Sequence, residues 1–436
     1  MVIGLARTGS ATARFLAQEG AEVTVSDSKQ EKELQKEVES LSGLPVCFQF
    51  GAEDISSIGG VEMLVPSPGV PSTNPLLREA QRRGIEVLSE IELAYRFLRC
   101  PLIAVTGTNG KSTTTTLIGE ILEANGLRVF VGGNIGRPLI GFVSGSWDWG
   151  VAEISSFQLE WVERFRPSIA VLLNLTEDHL DRYADFASYR AAKERIFCAQ
   201  QEEDAALLNR DDPFVWEMRE RLRSRVFSFG WGEVTGGTYA RQKAIVWRDE
   251  VTEEEFPLSR VKIQGVHNVE NLMAAVAVAK LLHVPRETIQ RVIEKFPGLE
   301  HRLEFVREKN GVRFYNDSKG TNVGAVLKSL MSFSEPVILL AGGVDKGGDY
   351  RILTEEVKRK VKKLILFGAA KETIYGALGH ITETVTVDSI ESAVAEAYKS
   401  ARPGDTVLLS PACSSFDMFH DYAERGEVFK TLVEGL

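Results

Sequence analysis

Two glycines, a lysine and a hydroxyl fall together in Val105-Thr106-Gly107-Thr108-Asn109-Gly110-Lys111-Ser112-Thr113. An apolar run, Leu102 to Val105, precedes them, and a helical pattern through Leu117, Ile118, Ile121 and Leu122 follows. The glycines therefore sit at a strand-to-helix turn, where backbone N–H groups can approach phosphate oxygens and the helix N-terminus adds partial positive charge. Lys111 would reach the β- and γ-phosphates, and the Ser112 hydroxyl would hold Mg²⁺. The usual phosphate loop has four residues between its glycines. Here two separate Gly107 from Gly110, a shortened variant.

Further groups with chemical capacity follow strand-like runs. Glu153 ends the run Val151-Ala152-Glu153. In a doubly wound sheet the carboxyl ends of the strands form the ligand crevice, so Glu153 is expected beside the phosphate loop as a Mg²⁺ ligand. The next run ends in Asn174-Leu175-Thr176-Glu177-Asp178-His179-Leu180-Asp181. One of these groups could complete a metal site, and spacing does not choose among Glu177, Asp178 and His179. Lys193 falls on an apolar helical stripe with Phe186, Tyr189, Ile196 and Phe197, in a helix capped by Asp185. Such a lysine either snorkels to the surface on its long stem or is buried, loses charge, and becomes an amine able to take up CO₂ as a carbamate. Asn268 and Asn271 lie one helical turn apart and share a face, as capping amides or ligand contacts. Four later loops, at His301-Arg302, Asn316 to Asn322, Ala341 to Lys346 and Ser410 to Phe416, read together as one crevice.

The elements that must position these groups form an α/β chain. The first segment, Val2-Ile3-Gly4-Leu5-Ala6-Arg7-Thr8-Gly9 with Asp27 closing a second strand, is a βαβ nucleotide-binding start with Ala6 where a second glycine is expected. The middle segment has apolar runs at Val129 to Val131, Gly150 to Ile154 and Ile169 to Leu175, which read as parallel strands buried on both faces. A small antiparallel patch is expected between Val226 and Ile263. The last segment alternates strand and helix as a second doubly wound sheet. Boundaries near Leu88 and at Pro297-Gly298 divide the chain into 1–88, 89–298 and 299–436.

Of the 436 residues, 51 are basic and 61 acidic, and the net charge of −10 argues against a general nucleic-acid or anionic-membrane binder. A polyanionic substrate must be met locally. Cys47, Cys100, Cys198 and Cys413 show no C-x-x-C spacing, which indicates neither a disulfide framework nor a zinc site. No apolar run is long enough to span a bilayer and no signal peptide is read, so a cytoplasmic chain is expected.

The shortened loop, Glu153-Ile-Ser-Ser-Phe-Gln-Leu-Glu, the turn through His179, Tyr189-Arg-Ala-Ala-Lys193, Gly265-Val-His-Asn268-Val-Glu-Asn271, His301-Arg302, Asn316-Asp-Ser-Lys-Gly-Thr321-Asn and Ser410-Pro-Ala-Cys-Ser-Ser-Phe together resemble the Mur ligases of peptidoglycan synthesis. The resemblance runs along essentially the whole chain. It implies an N-terminal Rossmann-like domain, a central P-loop sheet and a C-terminal Rossmann-like sheet. The implied activity is ATP-dependent addition of D-glutamate to UDP-N-acetylmuramoyl-L-alanine, with a monomer as the working unit. By position, Gly107, Thr108, Asn109, Gly110, Lys111, Ser112, Thr113, Asn268, Asn271, Arg302 and Asp317 would hold ATP. Ser112 and Glu153 would serve one Mg²⁺, and His179 with a carbamylated Lys193 a second; Lys111, Glu153, His179 and Lys193 are the implied catalytic set. Arg7, Thr8, Gly9, Asp27, Ser28, Lys29, Ser67, Pro68, Gly69 and Asn134 would hold the UDP-sugar. Thr321, Lys346, Ser415 and Tyr422 would meet D-glutamate, with Tyr422 standing where phenylalanine is expected. Other readings are another amide ligase of the family, a nucleotide-sugar or ATP sensor without chemistry, a GTPase, or an NAD oxidoreductase. The first βαβ alone would support the last, and no guanine motif supports the third.

Overall fold

In the computed structural model, which describes residues 1–51, 54–180, 182–263 and 265–436, three sheets follow one another along the chain. Asp181, part of the turn quoted above, lies outside the described residues. The first sheet has five parallel strands in the order Val46–Phe50, Val23–Asp27, Val2–Ile3, Met63–Pro66, Glu86–Val87. Its opening turn is tight, since a Cβ on Gly9 would come within 1.9 Å of the Gly4 carbonyl oxygen. That contact is why the helix Arg7–Gln18 can start so close to the strand.

The central sheet has nine strands, with Leu102–Thr106 between Trp149–Glu153 and Ile169–Leu172. Val129–Gly133 lies at one edge, and Ala205–Asn209 and Arg225–Gly230 continue in parallel on the other side. Gly237–Arg241 pairs in parallel with Arg225–Gly230 and antiparallel with Ala244–Arg248, which pairs in turn with Glu253–Pro257. The expected antiparallel patch is thus a three-strand extension of the large sheet, and its first expected strand, from Val226, is parallel. Helix Lys111–Ala124 buries Leu117, Ile118, Ile121 and Leu122 against helix Val266–Leu281, whose residues from Leu272 to Ala279 are all inaccessible to solvent. A helix apolar on every side has no exposed face and belongs inside.

The third sheet has six strands in the order Glu304–Lys309, Val312–Asn316, Thr406–Leu409, Val337–Gly342, Val361–Phe367, Glu383–Thr386. Glu304–Lys309, a charged run not anticipated from the pattern, forms an antiparallel edge hairpin with Val312–Asn316. The remaining pairs are parallel.

Helix Glu90–Phe97 joins the first two sheets through buried carboxylates. Glu92 Oε2 accepts the backbone N–H groups of Glu163, Arg164 and Phe165 at 2.8 to 2.9 Å, and Arg96 donates to its other oxygen. Glu90 Oε1 accepts Ile140 N–H at 2.6 Å. Burial pushes the Glu90 carboxyl up to about 7, against the pull of the Ile140 and Leu139 N–H groups and the Arg7 charge. Because that folded value lies above the ordinary 4.5, neutral Glu90 stabilises the fold below the ordinary value, and the contribution is lost as pH rises through about 7. Glu90→Gln should therefore lose less stability than the unaltered chain when urea denaturation is compared at pH roughly 5 and roughly 8. Parallel pH dependence in the two chains would contradict the assignment.

Candidate active site

The carboxyl ends of Leu102–Thr106, Trp149–Glu153 and Ile169–Leu172 meet at the phosphate-type loop. Asn174 braces the loop. It accepts Asn109 N–H at 2.8 Å and donates to the Asn109 carbonyl at 3.0 Å, while its own carbonyl accepts Thr108 N–H. Gly110, at φ 86°, caps the helix Lys111–Ala124, and a Cβ there would lie 2.2 Å from Asn271 Oδ1. The loop can thus close over Asn271 only with glycine at this position.

Lys111 Nζ folds back on the carbonyls of Gly107 and Thr108, at 2.8 and 2.9 Å. Lys193 Nζ donates to the same Gly107 carbonyl at 2.9 Å. Its helix, Phe186–Glu194, is capped by Asp185 as expected, but Lys193 is only 2% exposed and does not snorkel. Burial holds its amine well below the usual lysine range, and the neighbouring Lys111 charge lowers it further. Ser112 Oγ donates to Glu153 Oε2 at 2.5 Å, Asn134 Nδ2 donates to Glu153 Oε1 at 2.5 Å, and Arg302 donates to Ser112 Oγ at 2.7 Å. Glu153 is therefore a buried strand-end carboxylate beside the loop, as its position in the sequence implied.

The turn left open between Glu177, Asp178 and His179 divides its labour. His179 has a left-handed backbone (φ 57°), uncommon for a side chain of this kind, and its ring meets Phe157 edge-on at 4.8 Å. Lys193 Nζ lies 4.9 Å over the Tyr189 ring, whose centroid is 6.4 Å from that of His179. Asp178 faces the third sheet instead. It accepts Asn322 Nδ2 at 3.2 Å and lies 3.6 Å from Lys346 Nζ.

Two cavities share Asn109, Gly110, Arg302 and Lys319. One, about 330 Å³, carries Thr113, Asn268, Asn271 and Asp317 in its wall, which brings together seven residues of the expected ATP set. Asp317 accepts the hydroxyls of Ser329 and Ser410, and burial pushes its carboxyl up to about 6. The other cavity, about 270 Å³, has five basic side chains in its wall, Lys111, Lys193, Arg302, Lys319 and Lys346, against two carboxylates, Glu153 and Asp178. Within a chain of net charge −10 this is a local site for a polyanion.

The remaining expected residues divide. Thr321, Lys346 and Asn134 line the smaller cavity, whereas Ser415 is buried and Tyr422 lies beneath Lys319, whose Nζ is 3.6 Å from the ring centroid; neither lines a cavity of this site. Asp27 holds its own turn, accepting Leu5 N–H at 2.6 Å and Lys29 N–H at 2.9 Å, with Ser28 between. Arg7, beside Thr8 and Gly9, donates to the Asn134 carbonyl at 3.2 Å. Ser67 Oγ donates to the Gly4 carbonyl, and Pro68 and Gly69 continue that turn. Lys319 and Asn322 were not singled out, although both lie in the quoted loop after a strand. Burial, with the charges of Arg302 and Lys111, pulls the Lys319 amine down to about 7.

Three family models match the chain in order: the Mur ligase MurD-like N-terminal domain over residues 1–89, the Mur ligase middle domain over 105–279, and the Mur ligase glutamate ligase domain over 301–413. The chain belongs to the Mur ligase family. It is 52% identical over 441 residues to the UDP-N-acetylmuramoylalanine–D-glutamate ligase of Geotalea uraniireducens, covering 100% of this chain and 97% of that one. The relative of the same name in Trichlorobacter lovleyi is 49% identical over 438 residues, covering 100% and 98%. Among solved structures, a pseudomurein peptide ligase type C from Methanothermus fervidus superposes with a TM-score of 0.64 at 18% identity, covering 100% and 99%. A MurF ligase from Thermotoga maritima in complex with ADP gives 0.63 at 17% identity, covering 98% and 99%. At those identities the structures establish the three-sheet fold of this Mur ligase.

Mur ligases use ATP and Mg²⁺. The loop fits phosphate, with the glycine cradle at Gly110 and the basic side chains Lys111, Arg302 and Lys346 as its grounds, and the Ser112 and Glu153 oxygens suit a hard divalent ion. Gly110→Ala should weaken binding of an ATP analogue about tenfold or more, since a left-handed non-glycine residue costs of order 1–3 kcal/mol before any displacement of Asn271. Calorimetric titration reads it, and an unchanged Kd would contradict the role given to Gly110.

Proposed function

We infer that the chain joins D-glutamate to UDP-N-acetylmuramoyl-L-alanine, cleaving ATP to ADP and phosphate, in the cytoplasmic synthesis of peptidoglycan precursors. The observation that carries this reading is the cationic cleft between the strand ends of the central sheet and the loops of the third, in a chain about half identical over its whole length to ligases of that name. The four cysteines are unpaired, in keeping with a reducing compartment, and no helix among the described residues is long and apolar enough to cross a membrane.

The chemistry follows from charge. The muramoyl-alanine carboxylate must approach the γ-phosphate, and two unit charges about 4 Å apart repel by roughly 4 kcal/mol at an effective dielectric near 20. Lys111, Arg302 and Lys319 supply positive charge where that repulsion develops. A bond forms from the carboxylate oxygen to phosphorus as the bond to ADP breaks, giving an acyl phosphate. The neutral amine of D-glutamate then attacks the acyl carbon to give a tetrahedral intermediate, which collapses as inorganic phosphate leaves with the bonding pair and the nitrogen gives up one proton to solvent or to the departing phosphate. Mg²⁺, when bound, neutralises phosphate oxygens. Ser112 and Glu153 would hold one ion, and His179 with carbamylated Lys193 a second.

Asn109, Asn268, Asn271 and Asp317 would seat the nucleotide, with Gly107, Thr108, Gly110, Lys111, Ser112 and Thr113 around its phosphates. Arg7, Thr8, Gly9, Asp27, Ser28, Lys29, Ser67, Pro68, Gly69 and Asn134 would take the UDP-sugar. Thr321 and Lys346 would receive D-glutamate, with Ser415 and Tyr422 supporting from behind. Phosphate release should require the UDP-substrate and D-glutamate together, and equal turnover with L-lysine would sink the assignment.

Lys193 has the environment a carbamate needs. Its amine is buried, depressed in basicity and aimed at the loop carbonyl. An ammonium there would repel Mg²⁺, whereas a carbamate offers an anionic oxygen. Lys193→Ala should lose on the order of a hundredfold or more in turnover while still binding ATP, with acetate restoring part of it. Lys193→Arg should remain inactive because a guanidinium does not take up CO₂. Full activity in Lys193→Arg would refute the carbamate.

A further inference from the structure

Arg182 lies three residues beyond His179, and its side chain bridges the central segment and the first sheet. Nη1 donates to the Gly69 carbonyl at 3.3 Å and Nη2 to the Val70 carbonyl at 2.9 Å. Nη2 also meets Glu160 Oε2 at 2.7 Å, with both side chains largely buried. The guanidinium lies 4.5 Å over the Phe157 ring, the same ring that meets His179 edge-on at 4.8 Å. Backbone N–H groups of Arg182 and Tyr183 both donate to the His179 carbonyl, and Tyr183 OH donates to the second Glu160 oxygen at 2.8 Å. One rigid unit thus holds the His179 turn and the Gly69 and Val70 carbonyls. From the opposite side, Ser67 Oγ ties the same four-residue turn to the Gly4 carbonyl, and Val70 N–H closes it on Ser67 O.

We propose that Arg182 is a positioning residue that fixes the Ser67–Val70 turn of the first sheet against the His179 turn of the second, and so sets how far the UDP-sugar lies from the metal-side groups. This rests on the reading above that Ser67, Pro68 and Gly69 contact the UDP-substrate. The planar guanidinium reaches two carbonyls and a carboxylate at once while stacking on a ring, which a lysine cannot do.

The test compares Arg182→Met and Arg182→Lys with Gly69→Trp. Gly69 has an ordinary backbone and open space where a Cβ would go, so the tryptophan should leave the thermal midpoint unchanged and crowd the turn assigned to the UDP-substrate. Both Arg182 variants should raise KM for the UDP-substrate about tenfold, as expected when charge-assisted hydrogen bonds that preorganise a site are lost. KM for ATP should stay within about twofold, and the thermal midpoint of Arg182→Lys should be unchanged. If Gly69→Trp raises KM for the UDP-substrate and the Arg182 variants do not, the positioning role is wrong. If Gly69→Trp itself leaves that KM unchanged, the assignment of the turn to the UDP-substrate is wrong. If Arg182 variants shift every kinetic constant together with the thermal midpoint, Arg182 is a structural strut only.

A separate observation concerns the space behind this joint. A small cavity of about 10 Å³ is bordered by Ser67, Ser89, Glu90, Trp161 and Arg182, among others. Ser89 Oγ, Glu90 Oε2 and Trp161 Nε1 are all buried without a hydrogen-bond partner. We infer that a single water occupies it, accepting from the indole N–H and serving the hydroxyl and the carboxyl, because the volume admits one molecule and three polar partners match what a buried water makes. The indole donor disfavours a metal cation there. A crystal structure at a resolution that shows water should reveal one peak within hydrogen-bond distance of all three atoms, and should lose it in Trp161→Phe. An empty cavity, or a peak refining as a cation, would overturn the inference.

Discussion

Two lysine amines converge on one carbonyl oxygen, that of Gly107, and the rest of the site is arranged around what that demands. Two ammonium groups sharing an acceptor repel, and Asp178 and Glu153, the carboxylates nearest in the cleft, are engaged with Asn322 and Lys346 and with Ser112 and Asn134. The charge is relieved in two ways. Burial of Lys193 disfavours its charged form, and Lys111 keeps both loop carbonyls, of Gly107 and Thr108, as its acceptors. The basic side chains of the cleft outnumber its carboxylates, and Arg302, Lys319 and Lys346 extend that excess toward the third sheet.

That excess is held in place by apolar packing well away from it. The helix after the loop is locked between the sheet and Val266–Leu281, whose Asn268 and Asn271 emerge near its first turn. Asn271 can come close to the loop only because Gly110 has no side chain. Polar contacts at the loop thus depend on the register of two apolar helices. A shift in that packing would be felt as a misplaced phosphate.

Much of the site was legible in the sequence because its signals are local. The strand, loop and helix around Gly107 to Thr113 lie within one short stretch, and Glu153 is marked by ending an apolar run. Lys193 is marked by lying on an apolar stripe, although periodicity alone left burial and snorkelling open, and only the surrounding sheet decided between them. The fold class was readable for the same reason, since buried parallel strands show as apolar runs. What was not legible depends on long-range pairing. Glu304–Lys309 is charged and looks like a loop, but becomes an edge strand by pairing with its neighbour. Asp178 and His179 are adjacent and chemically similar as turn residues. That Asp178 also reaches Asn322 and Lys346 of the third segment while His179, with its left-handed backbone, meets Phe157 depends on long-range placement that composition does not reveal. Arg182 reads as a solvated turn residue until the first sheet is brought beside it.

The first and central sheets share one continuous apolar cluster, running from Val2, Leu5 and Val65 to Leu102, Ala104 and Ala152, whereas the third sheet keeps apolar clusters of its own and meets the central one through polar contacts. Arg7 reaches the Asn134 carbonyl, Asn134 reaches Glu153, Glu153 takes the Ser112 hydroxyl, and Ser112 accepts from Arg302. One hydrogen-bonded series therefore begins on the first sheet, passes the loop that receives phosphate, and ends on a residue preceding the third sheet. The links at Glu153 and Ser112 are short and centre on a buried carboxylate, so this series is the polar joint that registers Arg302, ahead of the third sheet, against the strand ends of the central one.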